Sequence, residues 1–236
     1  ISGPDPVDGI DRDTAMDMGF WCSGIERLLC VDTSLAWSYA NNVPSTDSIL
    51  AVANSSMYGG AGYSWAEVGT FSGANAAAAD VAIHELGHSL ADLADEYDYG
   101  GPAQYPDGEP SSRNASTYTS AEMASNGAKW ANWLGENNSA WDGLVSTYEG
   151  AVYSQYGIYR PTNNSMMRSL NRPFNQPSAE GFIIEMYKIV DPLDDHTPHG
   201  VIYGAVELFI TPVEINHPME IHWYLNGFDL NQDGVT

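Results

Sequence analysis

Between residues 76 and 93 apolar side chains recur on every side of a would-be helix: Ala76, Ala77, Ala78, Ala79, Val81, Ala82, Ile83, Leu86, Leu90 and Leu93. That pattern predicts a helix buried nearly all round. Gly73, Ala74 and Asn75 precede it, with Ser72 or Asn75 as the cap. Upstream, residues 33–42 read as a helix and 48–54 as a short apolar strand of a buried sheet. Glycine-rich punctuation at Gly59, Gly60, Ala61 and Gly62 leads into residues 63–71, read as a sheet-edge strand above the apolar helix. Residues 99–116, rich in Gly, Pro, Asn and Ser, predict a long loop. Residues 121–145 carry Trp130, Trp133, Leu134 and Trp141, which predict a packed helical patch. A further helix is expected over 179–190, and residues 191–200 end the domain. From Val201 the pattern changes to alternation, over 207–210 and 219–225, followed by Asn226-Gly227. The expected class is α/β: residues 1–200 form a twisted sheet over a central helix, and 201–236 begin a C-terminal β-sandwich with too few strands to close it.

The predicted central helix carries His84-Glu85-Leu86-Gly87-His88. Residues four apart lie about 6 Å along a helix and roughly 40° around it, so both imidazoles reach one ion. Two neutral nitrogens on Zn²⁺, with a carboxylate beside a bound water, are the parts of a zinc hydrolase, in which Glu85 acts as general base and then acid. A third protein ligand is needed, and no further histidine follows within the next hundred residues. Asp95 is the first choice, Glu96 the second and Asp92 the third. On a straight helix Asp95 would fall about 10 Å beyond His88, so the helix must end near residues 91–93 and fold back. The acids that do not bind zinc would form a solvated helix end or a calcium site.

His84-Glu85-Leu86-Gly87-His88 followed by Leu93-Ala94-Asp95-Glu96-Tyr97 resembles the secreted IgA-peptidase family of zinc endopeptidases. Two other segments agree with it: the Cys-bounded opening Phe20-Trp21-Cys22 through Leu29-Cys30-Val31-Asp32, and Gly157-Ile158-Tyr159-Arg160-Pro161 through Ser165-Met166-Met167-Arg168. The resemblance covers roughly residues 15–195 and implies a metzincin-like catalytic domain whose methionine turn lies beneath the zinc. Met166 is expected to be that floor, with Met167 as the alternative. Metzincins place a glycine and a ligand where this chain has Ala91 and Ala94, so the third ligand is expected either to have slipped by one residue or to lie away from that pattern. The family name does not establish immunoglobulin A as the substrate.

Charge narrows the setting. Eight basic against 31 acidic residues give a formal net charge of −23, which excludes a binder of nucleic acid or of anionic membranes. No long uncharged apolar stretch predicts a membrane span, and no leader is recognisable, so the chain is expected to be a trimmed, secreted or extracellular product, with surface attachment through a missing C-terminal region as a variant. Its partner is a protein or peptide substrate. Cys22 and Cys30 are the two cysteines, and a lone pair closing a short loop points to a disulfide. The segment must bend for that, with Ser23-Gly24 the natural place, because a straight helix would hold the Cα atoms about 12 Å apart; buried free thiols are the alternative. Tyr159 or Tyr97 offers a phenol to a developing oxyanion or simply packs. His196 and His199, in a breaker-rich segment, read as a solvated pair rather than a second metal site, and 229–234 matches half of a calcium loop or a polar turn. A zinc-bearing adhesion or glycoprotein-binding protein is the competing class. It leaves Glu85 without a task.

Overall fold

The computed structural model describes residues 10–204, 207–213 and 221–230. The chain divides into two compact units, residues 1–186 and 187–236. The first is a mixed α/β unit. Its main sheet holds β1 (Ile49–Ala53), β2 (Gly60–Tyr63) and β3 (Val68–Ser72) in the order β1-β3-β2, with β1 parallel and β2 antiparallel to β3. Helix α1 (Thr33–Ala40) precedes the sheet, and the Asp32 carboxylate caps it by accepting from the amides of Ser34 and Leu35 at 2.9 and 3.0 Å.

The edge strand is not the one expected. Residues 63–71 do not form one strand: Tyr63 ends β2, a 3₁₀ turn occupies Ser64–Ala66, Glu67 turns back at φ 53°, and Val68–Ser72 becomes the buried centre of the sheet. The edges are β1 and β2, the latter built from the glycines read as punctuation. They are there for proximity, since helix α2 (Ala78–Ser89) lies directly on this strand. A Cβ on Gly62 would fall 2.5 Å from the Cβ of His88, and one on Gly60 would fall 2.8 Å from Oε1 of Glu85.

Helix α2 is shorter and less enclosed than its composition predicts. Ser72 is not its cap, and Ala77 holds the N-cap position without a side-chain bond; Asn75 instead accepts from the Ala77 amide at 2.9 Å. One side stays open, with Ile83 43% exposed. Four alanines made the stretch look apolar all round, yet its packing lies on the face toward β2 and β3 and, at Gly87, against Met167 and Leu93.

Helix α3 (Ser120–Asn126) opens with a capping box of Thr119 and Glu122. Met123, Trp130 and Val145 pack beside it with Trp133 and Leu134, whereas Trp141 stands apart at 39% exposure. Two hairpins follow: β4 (Asn137–Asn138) with β5 (Gly143–Leu144), and β6 (Tyr148–Ala151) with β7 (Ser154–Arg160). Helix α4 (Gln176–Ile189) starts three residues earlier than expected, with Pro177 in its first turn, where a missing N–H costs nothing.

In the second unit β8 (Leu193–His196) pairs with β9 (Ile210–Pro212), and β10 (Tyr224–Leu225) pairs with β11 (Phe228–Asp229) across Asn226-Gly227. Both turn residues have positive φ, 51° and 83°, as an Asn-Gly hairpin requires. His196 belongs to a strand rather than a loop, its ring 4.8 Å from that of His199. Met219 and Glu220 of the expected strand lie outside the described residues. So do residues 231–234 of the calcium loop, and the exposed Asp229 and Leu230 give that loop no support.

Candidate active site

Helix α2 aims both histidines the same way. Nε2 of His84 and Nε2 of His88 are 3.2 Å apart, and ligating atoms of His84, Glu85 and His88 lie within 4.8 Å of one another. The chain then reverses. Leu90 closes the helix, Asp92 takes a left-handed φ of 50°, and the Leu93 amide returns to the Gly87 carbonyl at 3.0 Å. Aspartate tolerates that conformation better than most residues. The reversal brings Oδ1 of Asp95 to 3.1 Å from His84 Nε2 and 3.2 Å from His88 Nε2. The turn residue and the carboxylate thus stand one place after Ala91 and Ala94.

Three donor atoms at the corners of a triangle with edges of 3.1, 3.2 and 3.2 Å fit a zinc ion well. Tetrahedral zinc with bonds of about 2.0 Å separates neighbouring ligand atoms by about 3.3 Å. The histidines are also oriented for it. Nδ1 of His84 lies 3.1 Å from the Met166 carbonyl and Nδ1 of His88 lies 2.6 Å from the Leu93 carbonyl. A carbonyl only accepts, so each Nδ1 carries a proton and each Nε2 is the ring atom left to face an ion. Burial would depress the pKa of His88, but the hydrogen bond and charge of Asp95 outweigh it and raise the value to about 9. Burial would raise that of Asp95, yet its bonds to His84 and His88 hold it well below the usual carboxylate range. The field at this point favours a cation.

The other Asp95 oxygen is held separately. Oδ2 accepts from the Tyr97 phenol at 2.7 Å and from the Tyr153 phenol. Burial and the nearby Asp95 charge push both phenols up, Tyr153 to about 12, so they stay protonated donors. Tyr153 arrives from the tip of the β6–β7 hairpin, where Val152 and Tyr153 have φ of 45° and 62°. A two-residue turn of this kind prefers Asn-Gly, and a β-branched valine there is strained. The Asp95 and Tyr97 carbonyls hold it by accepting from the Val152 and Tyr153 amides at 2.9 and 3.0 Å.

Glu96 points elsewhere. Fully buried, its carboxylate accepts from Asn114, Ser165 and Asn175 at 3.0, 2.7 and 2.8 Å. Burial raises its pKa to about 6 against those three donors. Its amide donates to the Met167 carbonyl at 2.8 Å and its carbonyl accepts from Arg168 at 3.0 Å, so Glu96 fastens the Asp95 loop to the methionine segment. In that segment Met166 supplies the carbonyl to His84. Met167, fully buried with Ala91 and Leu93, lies so close beneath α2 that a Cβ on Gly87 would come within 2.7 Å of its sulfur.

Glu85 is buried beside the metal-binding atoms and against Gly60, and burial raises its pKa despite His88 and His84. It lines a cleft with His84, His88, Asp92, Asp95, Tyr97 and Tyr153, whose far wall is the loop between Cys22 and Cys30. These cysteines are bridged, their Cα atoms 5.8 Å apart, and the bend falls at Ser23 and Gly24 with φ of 52° and 75°. The loop docks on β2 through Gly60, whose amide donates to the Arg27 carbonyl at 3.1 Å. Tyr159 pairs with Glu149 in the hairpin and does not line the cleft. Tyr153, Arg27 and the Asn114–Ser165–Asn175 cradle went unread in the sequence, because each reaches the site through tertiary contacts that no local spacing encodes.

No described helix is long and apolar enough to cross a membrane. No curated protein matches the chain. A family model described as IgA Peptidase M64, however, matches residues 2–143 and 137–186, the span that carries every group described above. The chain therefore belongs to the IgA peptidase M64 family, and with its His-Glu-x-x-His group it is a metallopeptidase.

Proposed function

We propose that this peptidase is an exported, zinc-dependent endopeptidase of metzincin-like design, with His84, His88 and Asp95 as the metal ligands and Glu85 as the general base. The observation that carries this is the near-equilateral triangle of His84, His88 and Asp95 donor atoms, with the Glu85 carboxylate beside it. Zinc, when bound, would acidify a water molecule and polarise the scissile carbonyl. Glu85 takes a proton from the attacking water and returns it to the departing amine. Its raised pKa suits both halves of that exchange. The substrate backbone adds as a strand to the outer edge of β2 beyond Gly60, whose own amide and carbonyl are taken by the Cys22–Cys30 loop. Tyr97 and Tyr153 leave Asp95 one free oxygen, while Asp95 and the two carbonyls fix the plane of the ligand set. The cystine and the acidic surface support an exported protein. The catalytic domain is the first compact unit, and the second, in which β8 pairs with β9 across the boundary expected at residue 200, opens a C-terminal β module.

Glu85→Gln tests the reading. It should keep about one zinc per chain and lose at least ~10²-fold in peptide hydrolysis. Near-normal turnover in that variant would overturn the mechanism.

A further inference from the structure

Arg27 is the sole lysine or arginine among the described residues lining the cleft. The chain has eight basic residues, and several outside the cleft are taken up by carboxylates or, like Arg160, by backbone carbonyls of Glu149, Gly150 and Asn163. Arg113, Lys129 and Arg168 pair with Glu185, Glu109 and Asp98. Arg27 forms no ion pair with a carboxylate among the described residues. Its partner is a neutral phenol: Nη2 donates to Tyr97 Oη at 3.1 Å, and the guanidinium stands 5.9 Å over the Tyr97 ring. The phenol in turn donates to Asp95. Tyr97 is thus a spacer that holds a cation two hydrogen bonds from the reacting centre without neutralising it. An arginine has five N–H donors in a planar fork, and one of these is used.

From this geometry we infer that Arg27 forms a carboxylate-recognising subsite in the substrate cleft. The inference rests on the peptidase reading and adds the substrate class: peptides carrying an Asp or Glu side chain near the scissile bond, or a free C-terminal carboxylate just beyond it. A fork with unused donors matches a carboxylate bidentately. Its support is rigid, because the cystine closes the loop and Gly60 pairs with its backbone. The cleft also holds Glu85, Asp92 and Asp95, which oppose an anionic ligand. Asp95 turns Oδ2 to the two phenols and Oδ1 to the proposed ligand set, and Glu85 lies against Gly60. The anion is therefore directed to the Arg27 end.

The test uses matched peptides that differ by Glu or Gln on either side of a cleaved bond, each with a free or an amidated C-terminus, and the zinc-loaded full chain. The Glu member should be favoured about tenfold in kcat/KM, the scale of a charge-assisted hydrogen bond. Arg27→Gln should bring that ratio towards one, Arg27→Lys should keep part of it, and Arg27→Glu should favour a Lys-bearing peptide instead. If amidation rather than the Glu-to-Gln change removes the preference, the carboxylate recognised is the chain terminus. Fluorescence anisotropy of the same peptides on Glu85→Gln, with and without Arg27→Gln, reads the preference independently of turnover. Equal rates and affinities for Glu and Gln members, free or amidated, or a preference that survives Arg27→Gln and Arg27→Glu, would overturn the subsite. Acid-selective binding without hydrolysis of any peptide would sink the endopeptidase reading alone, and hydrolysis without selectivity this one alone.

Discussion

The two oxygens of Asp95 face different partners, imidazole nitrogens on one side and phenols on the other, and this division makes the residue separable from its neighbour. Asp95→Ala should lose most bound zinc, measured by metal analysis after dialysis. Glu96→Ala should keep zinc yet melt far lower, because Asn114, Ser165 and Asn175 would lose a shared buried partner. Zinc lost in the second variant and kept in the first would move the ligand to Glu96. Tyr153→Phe removes one phenol from Asp95 and leaves the ring, so zinc affinity in chelator competition should fall about 10- to 100-fold. An unchanged affinity would make Tyr153 mere packing. For the methionine pair, Met167→Ala should cost roughly 2–5 kcal/mol and exceed Met166→Ala, because Met167 fills the cluster beneath Gly87. The reverse order of melting shifts would favour Met166 as the floor, as expected from the sequence.

At the scale of elements, the strand on which the substrate is proposed to lie is only as close to α2 as its glycines permit. Gly62→Ala should lower both the melting temperature and kcat/KM, since its methyl group would collide with His88; normal values for both would show that β2 yields freely. This close approach explains what was legible in the sequence. Spacing four on one helix reveals His84, Glu85 and His88, and the need to fold back reveals the reversal before Asp95, because both are local geometry. The glycines of β2 look like any turn when read alone, and only the helix against them gives their reason. The hairpin tip is harder still. Val152-Tyr153 violates the turn preference of its own segment, and its purpose lies 58 residues away at Asp95.

For the molecule as a whole, a net charge of −23 means that folding gathers like charges together. With zinc kept saturating, raising sodium chloride from about 0.01 to 1 M shortens the screening length from ~30 to ~3 Å and should raise the melting temperature. A flat or falling trend would show that repulsion is already balanced locally. A different consequence follows from where the site's supports lie in the chain. His84 needs the Met166 carbonyl, 82 residues later, and Asp95 needs the hairpin tip at Tyr153. A nascent chain halted near residue 140 would already contain the whole His-Glu-x-x-His signature, Asp95 and the Leu93 carbonyl beside His88, but neither the Met166 carbonyl nor the Tyr153 phenol. The geometry of the site is thus completed by segments that leave the ribosome long after the signature itself.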